Sequence, residues 1–149
     1  LVKDGDGTLT LSNAGNTYSG PTTVDGGTLA GFGAVDSDLT VNSATLAPGV
    51  GVGTFNAKSA TFSAGATLDV GLDGADPGKL LAAGPIDLAG CSLSVTVGNG
   101  GVTQQNYVIA EGSSLTGTFG SVPSDYRVSY NGTQAILSRN YHALLFLVK

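Results

Sequence analysis

The sequence holds no Met and no Trp, and only one Cys, one His and one Glu among its 149 residues. Each shortage excludes something. Helix formers such as Met, Glu, Lys and Arg are too scarce for a helical bundle, since Lys and Arg together number six. Those six, against eleven acidic residues and a net charge of −5, leave no basic footprint for nucleic acid. The single cysteine, Cys91, forbids an intrachain disulfide and every multi-cysteine metal pattern. The longest apolar run, Ala143 to Val148, is far too short to cross a bilayer as a helix. Leu1-Val2-Lys3 leads directly into the alternating Gly7-Thr8-Leu9-Thr10-Leu11, with no targeting segment ahead of it. The chain is therefore expected to be a piece of something longer.

What is abundant points one way. Gly contributes 24 residues, and Ser and Thr contribute 14 + 16 = 30. These are turn and strand residues. Hydrophobic content of 41% with 11% charged residues is enough apolar material for a core, which excludes disorder. The composition is that of an all-β chain.

A small residue, any residue and then Leu recurs along it. The instances are Gly7-Thr8-Leu9, Gly27-Thr28-Leu29, Ala44-Thr45-Leu46, Ala66-Thr67-Leu68, Cys91-Ser92-Leu93, Ser113-Ser114-Leu115 and Ala135-Ile136-Leu137. Their leucines are separated by 20, 17, 22, 25, 22 and 22 residues. Residues two apart in a strand share a face, so one stacked unit per repeat predicts a single interior Leu column. A second column of small residues would lie beside it. This is a β-solenoid of about seven rungs, roughly 34 Å long at the spacing of paired strands. Turn residues such as Asp25-Gly26-Gly27, Ala47-Pro48-Gly49, Asp73-Gly74 and Gly98-Asn99-Gly100-Gly101 supply the corners. Strands between them alternate, with Leu68/Val70/Leu72 and Leu93/Val95/Val97 on the inner face.

The pattern changes near the end, where aromatic residues thicken. Tyr126, Val128 and Tyr130 precede Asn131-Gly132, a strong two-residue hairpin signal. Such a turn sets Val128 opposite Ala135 and Tyr126 opposite Leu137. The sequence thus divides into rungs over 1–106, a C-terminal cap and hairpin region over 107–140, and an apolar terminal segment over 141–149 for docking or connection.

The stretch from Gly7-Thr8-Leu9-Thr10-Leu11-Ser12 through Asn16-Thr17-Tyr18-Ser19-Gly20-Pro21-Thr22-Thr23-Val24 to Gly27-Thr28-Leu29 resembles the autotransporter-associated β-strand repeat of bacterial passenger domains. Leu39-Thr40-Val41, Ala44 to Gly49, Gly53-Thr54-Phe55, Tyr107 to Ala110, Leu115 to Phe119 and Tyr126 to Leu137 are similar to pertactin-like passenger ends. The resemblance implies a right-handed parallel β-helix, secreted or displayed on a bacterial surface, with adhesive or structural function. It also implies a C-terminal region that folds first and templates the rungs behind it.

Chemistry-bearing residues are sparse, and no catalytic, cofactor-binding or metal-binding residue is assigned. His142 is the only histidine, with nothing to place a particular Ser near it for a triad. Asp4-Gly5-Asp6-Gly7 looks like a calcium loop, but Leu9 and Gly15 occupy its required Gly and Glu positions, so a turn is expected. Asp36 with Asp38, and Asp73 with Asp76, are the close carboxylate pairs that glycoside chemistry would need, beside a groove and a cation. Cys91 falls in the small-residue column as a compact apolar side chain, with an intermolecular disulfide as the alternative. Asn131-Gly132-Thr133 matches a glycosylation sequon that the hairpin turn already explains. Gly98-Asn99-Gly100-Gly101 lacks the Lys and helix of a phosphate cradle and is read as a turn.

The expected function is a non-catalytic extracellular surface module, a rod or adhesin-type passenger fragment without cofactor. Its expected partners are a protein or glycan surface ligand, or copies of itself stacked end to end, with neither nucleic acid nor a membrane span. The alternative from a different class is a polysaccharide-active β-helix enzyme using Asp36, Asp38, Asp73 or Asp76.

Overall fold

A computed structural model describes residues 1–49 and 51–140. Every regular element among them is a strand, and no helix is long and apolar enough to cross a membrane. The first eight are β1 (Val2–Lys3), β2 (Thr8–Thr10), β3 (Thr22–Val24), β4 (Thr28–Gly31), β5 (Ala34–Val41), β6 (Thr45–Pro48), β7 (Gly53–Phe62) and β8 (Thr67–Gly74). The rest are β9 (Asp76–Ala82), β10 (Ile86–Asp87), β11 (Ser92–Val102), β12 (Asn106–Glu111), β13 (Leu115–Thr116), β14 (Tyr126–Tyr130) and β15 (Gln134–Arg139).

Odd-numbered strands β1, β3, β5, β7 and β9 pair in parallel, and so do β2, β4, β6, β8 and β11. The two stacks join where β8 turns back into β9, which pairs with it antiparallel. The result is one 15-stranded mixed sheet that folds on itself and nearly closes, in a solenoid-like arrangement.

Register explains the sequence. Leu9, Leu29, Leu46, Leu68 and Leu93 stand directly above one another through four successive parallel pairings. Leu29, Leu46 and Leu68 are fully buried, and each contributes about 1.5–3 kcal/mol of transfer free energy. Thr8, Thr28, Thr45, Thr67 and Ser92 stack at the position just before them, the side a β-branched residue fits on a pleated surface. Ala44, Ala66 and Cys91 are buried immediately ahead of their strands, as the second column requires. Gly27 shows why that column is small. Its φ is +63°, and a Cβ there would collide with the carbonyl oxygens of Gly5 and Gly7.

Three expectations need correction. The seven leucines do not form one column. Leu115 lies on β13 in line with Ile86, Ala60, Leu39 and Thr22, on the other stack. The cause is the length of β11 and the added β12, which carry the chain across before Ser121 returns beneath Ser92. Leu137 faces Val128 and Tyr107 in antiparallel pairs. The predicted hairpin exists, but its register is Tyr126↔Arg139, Val128↔Leu137 and Tyr130↔Ala135. Asn131 Oδ1 accepts hydrogen bonds from the backbone N–H of Thr133 (3.1 Å) and Gln134 (2.9 Å), and four residues separate the paired Tyr130 and Ala135. Finally, Val97 is 47% exposed although it continues the alternation of Leu93 and Val95. The segment 141–149, assigned to docking or connection, lies outside the described residues.

The core predicts its own sensitivity. Leu68→Ala, at the centre of the column, should cost about 2–5 kcal/mol in chemical denaturation. Thr61→Ala, outward on β7, should stay within about 0.5 kcal/mol. Equal effects would contradict the column.

Candidate functional site

A groove of about 630 Å³ opens on one side of the sheet. The loop 14–17 forms one side, and residues 34–36 of β5 with 56–58 of β7 form the other, with Ala83 beyond. Gly15 N donates to Asn13 Oδ1 (2.9 Å), which curls the loop. Asn16 Nδ2 then donates to the Asn13 and Ala34 carbonyls (2.8 and 2.7 Å), stapling the loop to β5. Ala34 pairs with Asn56 and Val35 with Ala57. One step further along the same strands stand Asp36 and Lys58. Strand alternation sends Val35 and Ala57 inward, where both are buried, and Asp36 and Lys58 outward, where both are exposed. Among the described residues the side chains of Asp36 and Asn56 have no hydrogen-bonding partner.

Of the four aspartates that glycoside chemistry would use, only Asp36 lines this groove. Asp38 accepts from Ser59 Oγ (2.8 Å), and its contact with Lys58 Nζ is a loose 4.0 Å between well exposed side chains. Asp73 lines a second groove of about 250 Å³, with Gly98 and Asn99. It stands opposite Asp76 across the β8–β9 turn, a like-charge pair relieved by the Gly100 N–H that donates to Asp73 Oδ1. The Gly98–Gly101 stretch is thus the tail of β11, wrapped around a carboxylate. Each groove holds one carboxylate, whereas glycoside hydrolysis needs two flanking one bond.

The remaining candidates resolve individually. At the Asp4-Gly5-Asp6-Gly7 turn, Lys3 Nζ donates to the carbonyls of Asp4 (2.9 Å), Gly5 (2.8 Å) and Gly26 (3.1 Å). An ammonium group therefore ties two successive corners together. The Asn131 side chain of the sequon is committed to its turn. His142 lies outside the described residues. Cys91 is fully buried, and desolvation pushes its thiol up to about 12. The intermolecular disulfide has no exposed sulfur to use.

Three polar features carry no sequence signal of their own. The Lys79–Glu111 pair (2.6 Å) bridges neighbouring strands β9 and β12, and the hydrogen bond and charge of Lys79 hold Glu111 below its ordinary range. Tyr107 Oη accepts from the N–H groups of Thr103 and Gln104 (both 3.0 Å) and donates to the Gly74 carbonyl (2.6 Å). Asn16, Asn56 and Lys58 meet only through loop closure and parallel register.

Two predictions follow from burial and charge. Cys91 should resist a thiol reagent in the native state and react at once in denaturant; rapid native labelling would contradict its burial. Glu111 has a folded value below its unfolded one, so its contribution is full above about 4.5 and fades as pH falls through the lower folded value. Lys79→Met should return the carboxyl of Glu111, the only Glu, to its ordinary range in an NMR titration.

Comparison with known proteins adds one finding. Residues 1–30, a fifth of the chain, match the family model of the passenger-associated-transport-repeat. No curated protein matches the chain. The matched stretch runs from β1 through Ala30 of β4, and so contains the first two leucines of the column, Leu9 and Leu29. The stacked strands at the start of this chain are thus similar to the passenger-associated-transport-repeat.

Proposed function

We propose that the chain is a non-catalytic structural module of a bacterial autotransporter passenger, exposed at the cell surface or secreted. Its rungs, over 1–106, form a right-handed parallel β-helix that acts as a stiff spacer. The region 107–140 caps the rungs, and 141–149 connects or docks.

The observation that carries this reading is the in-register column Leu9–Leu29–Leu46–Leu68–Leu93, whose first members lie inside the matched repeat. A column of this kind buries an apolar face only when each unit stacks on the next. It yields length and stiffness without demanding convergent polar groups. Among the described residues β1 and β2 end the strand order, and their edges suit a further rung, supplied by preceding chain or by a second copy. The antiparallel β14–β15 hairpin, crossing onto β12, supports the role given to 107–140. An edge that ends in an antiparallel hairpin is no longer a template for another parallel rung.

Surface display tests the module. Exported to the surface of a Gram-negative host, the chain should resist proteinase K. Leu137→Asp places an unpaired charge at a fully buried position of the cap and should cost several kcal/mol. That variant should be digested on the surface or fail to accumulate there. Equal resistance of the two would overturn the cap, and retention of the wild-type chain inside the cell would overturn the passenger assignment.

A further inference from the structure

We propose that the groove between the loop 14–17 and the β5–β7 face binds a neutral oligosaccharide. Charge sets the ligand class first. The lining carries one carboxylate, Asp36, and one ammonium, Lys58, and with Asp38 4.0 Å from that ammonium the groove holds no strong surplus of either sign. An anionic ligand gathers several cations, which a chain with six Lys and Arg and a net charge of −5 does not supply here. A cationic ligand meets Lys58 at the wall.

Hydrogen-bonding capacity narrows the class. Asn56 offers two donors and one acceptor group, Asp36 offers acceptors, and Lys58 offers donors. Asn56 and Lys58 are alternate residues on one strand, so their side chains leave the same face about 6.6 Å apart. A ligand with several groups that each donate and accept, spread across one ring, satisfies this set. Ring hydroxyls do so. The rest of the lining is small, with Ala14, Gly15, Ala34 and Ala83, which leaves room for a ring to lie against methyl groups. A volume of about 630 Å³ falls in the usual range of ligand sites.

Strength follows from what lines the groove. No aromatic residue is among the lining residues, so stacking adds nothing, and a single site should bind with Kd on the order of 1 mM. Binding at one site is independent of the passenger reading. Many copies on one surface, which that reading supplies, would convert weak sites into firm attachment.

The test is an amide NMR titration of the folded chain with maltotetraose, mannotetraose and chitotetraose. Tetralysine and trigalacturonate serve as charged counter-probes. At least one neutral sugar should shift the amides of Asn16, Asp36, Asn56 and Lys58. Asp36→Asn and Asn56→Ala should each weaken that binding about tenfold, with the thermal midpoint unchanged. Silence from all three sugars would overturn the proposal, as would shifts confined to other residues. A stronger response to either charged probe would also overturn it, as would full binding by the Asn56→Ala variant. A surface-display failure leaves this readout untouched, so the two proposals fail separately.

Discussion

Parallel strands paired in register place like positions on top of one another at a spacing of about 4.8 Å, and the remaining structure conforms to that repeat. A leucine fills its layer only if the layers above and below present similar shapes, which Leu29, Leu46 and Leu68 do for one another. A corner passes only if its side chains leave room for the next corner. At Gly27 the oxygens of Gly5 and Gly7 occupy the Cβ position, and within β8 the Gly51 carbonyl does the same at Gly71. Low charge and abundant Gly, Ser and Thr are the compositional trace of this constraint. Charged residues stacked on themselves repel, and a side chain at a tight corner collides with the next backbone.

Much of the fold was readable because the repeat is local. Each small-x-Leu triplet marks one strand entry, and five of the seven enter the same stack. Leu115 and Leu137 share the spacing but not the place. Between Leu93 and Leu115 the chain spends its residues on a long β11 and on β12, and a count of residues cannot distinguish that excursion from a full turn. The hairpin shows a similar limit. Asn131-Gly132 announces a reversal, yet the side-chain oxygen of Asn131, by capturing two later N–H groups, sets the loop length and therefore the register.

The grooves were less readable, for a different reason. Their chemistry depends on outward residues, which the core pattern does not constrain. Asp36 was visible as half of a carboxylate pair, but it shares its groove with Lys58 of β7, a strand some twenty residues later that pairs with β5. Asn16 enters from a loop whose path is set by its own side-chain bonds. The Asp4-Gly5-Asp6 turn makes the same point from the opposite side. A motif suggestive of a divalent cation is filled by the chain's own Lys3, one residue upstream.

The two stacks also have a mechanical consequence. Hydrogen bonds between parallel rungs lie along the stack, so tension in that direction is carried by the rows in series and the weakest row yields first. Extension should therefore be stepwise. A row that yields frees the chain between successive leucines of the column, 17 to 25 residues, while its neighbours hold. The antiparallel β8–β9 turn interrupts this sequence, because it ties both stacks through one short connection. Such a molecule would take up a sudden pull by lengthening in increments, and each lost increment would have an intact template on which to reform.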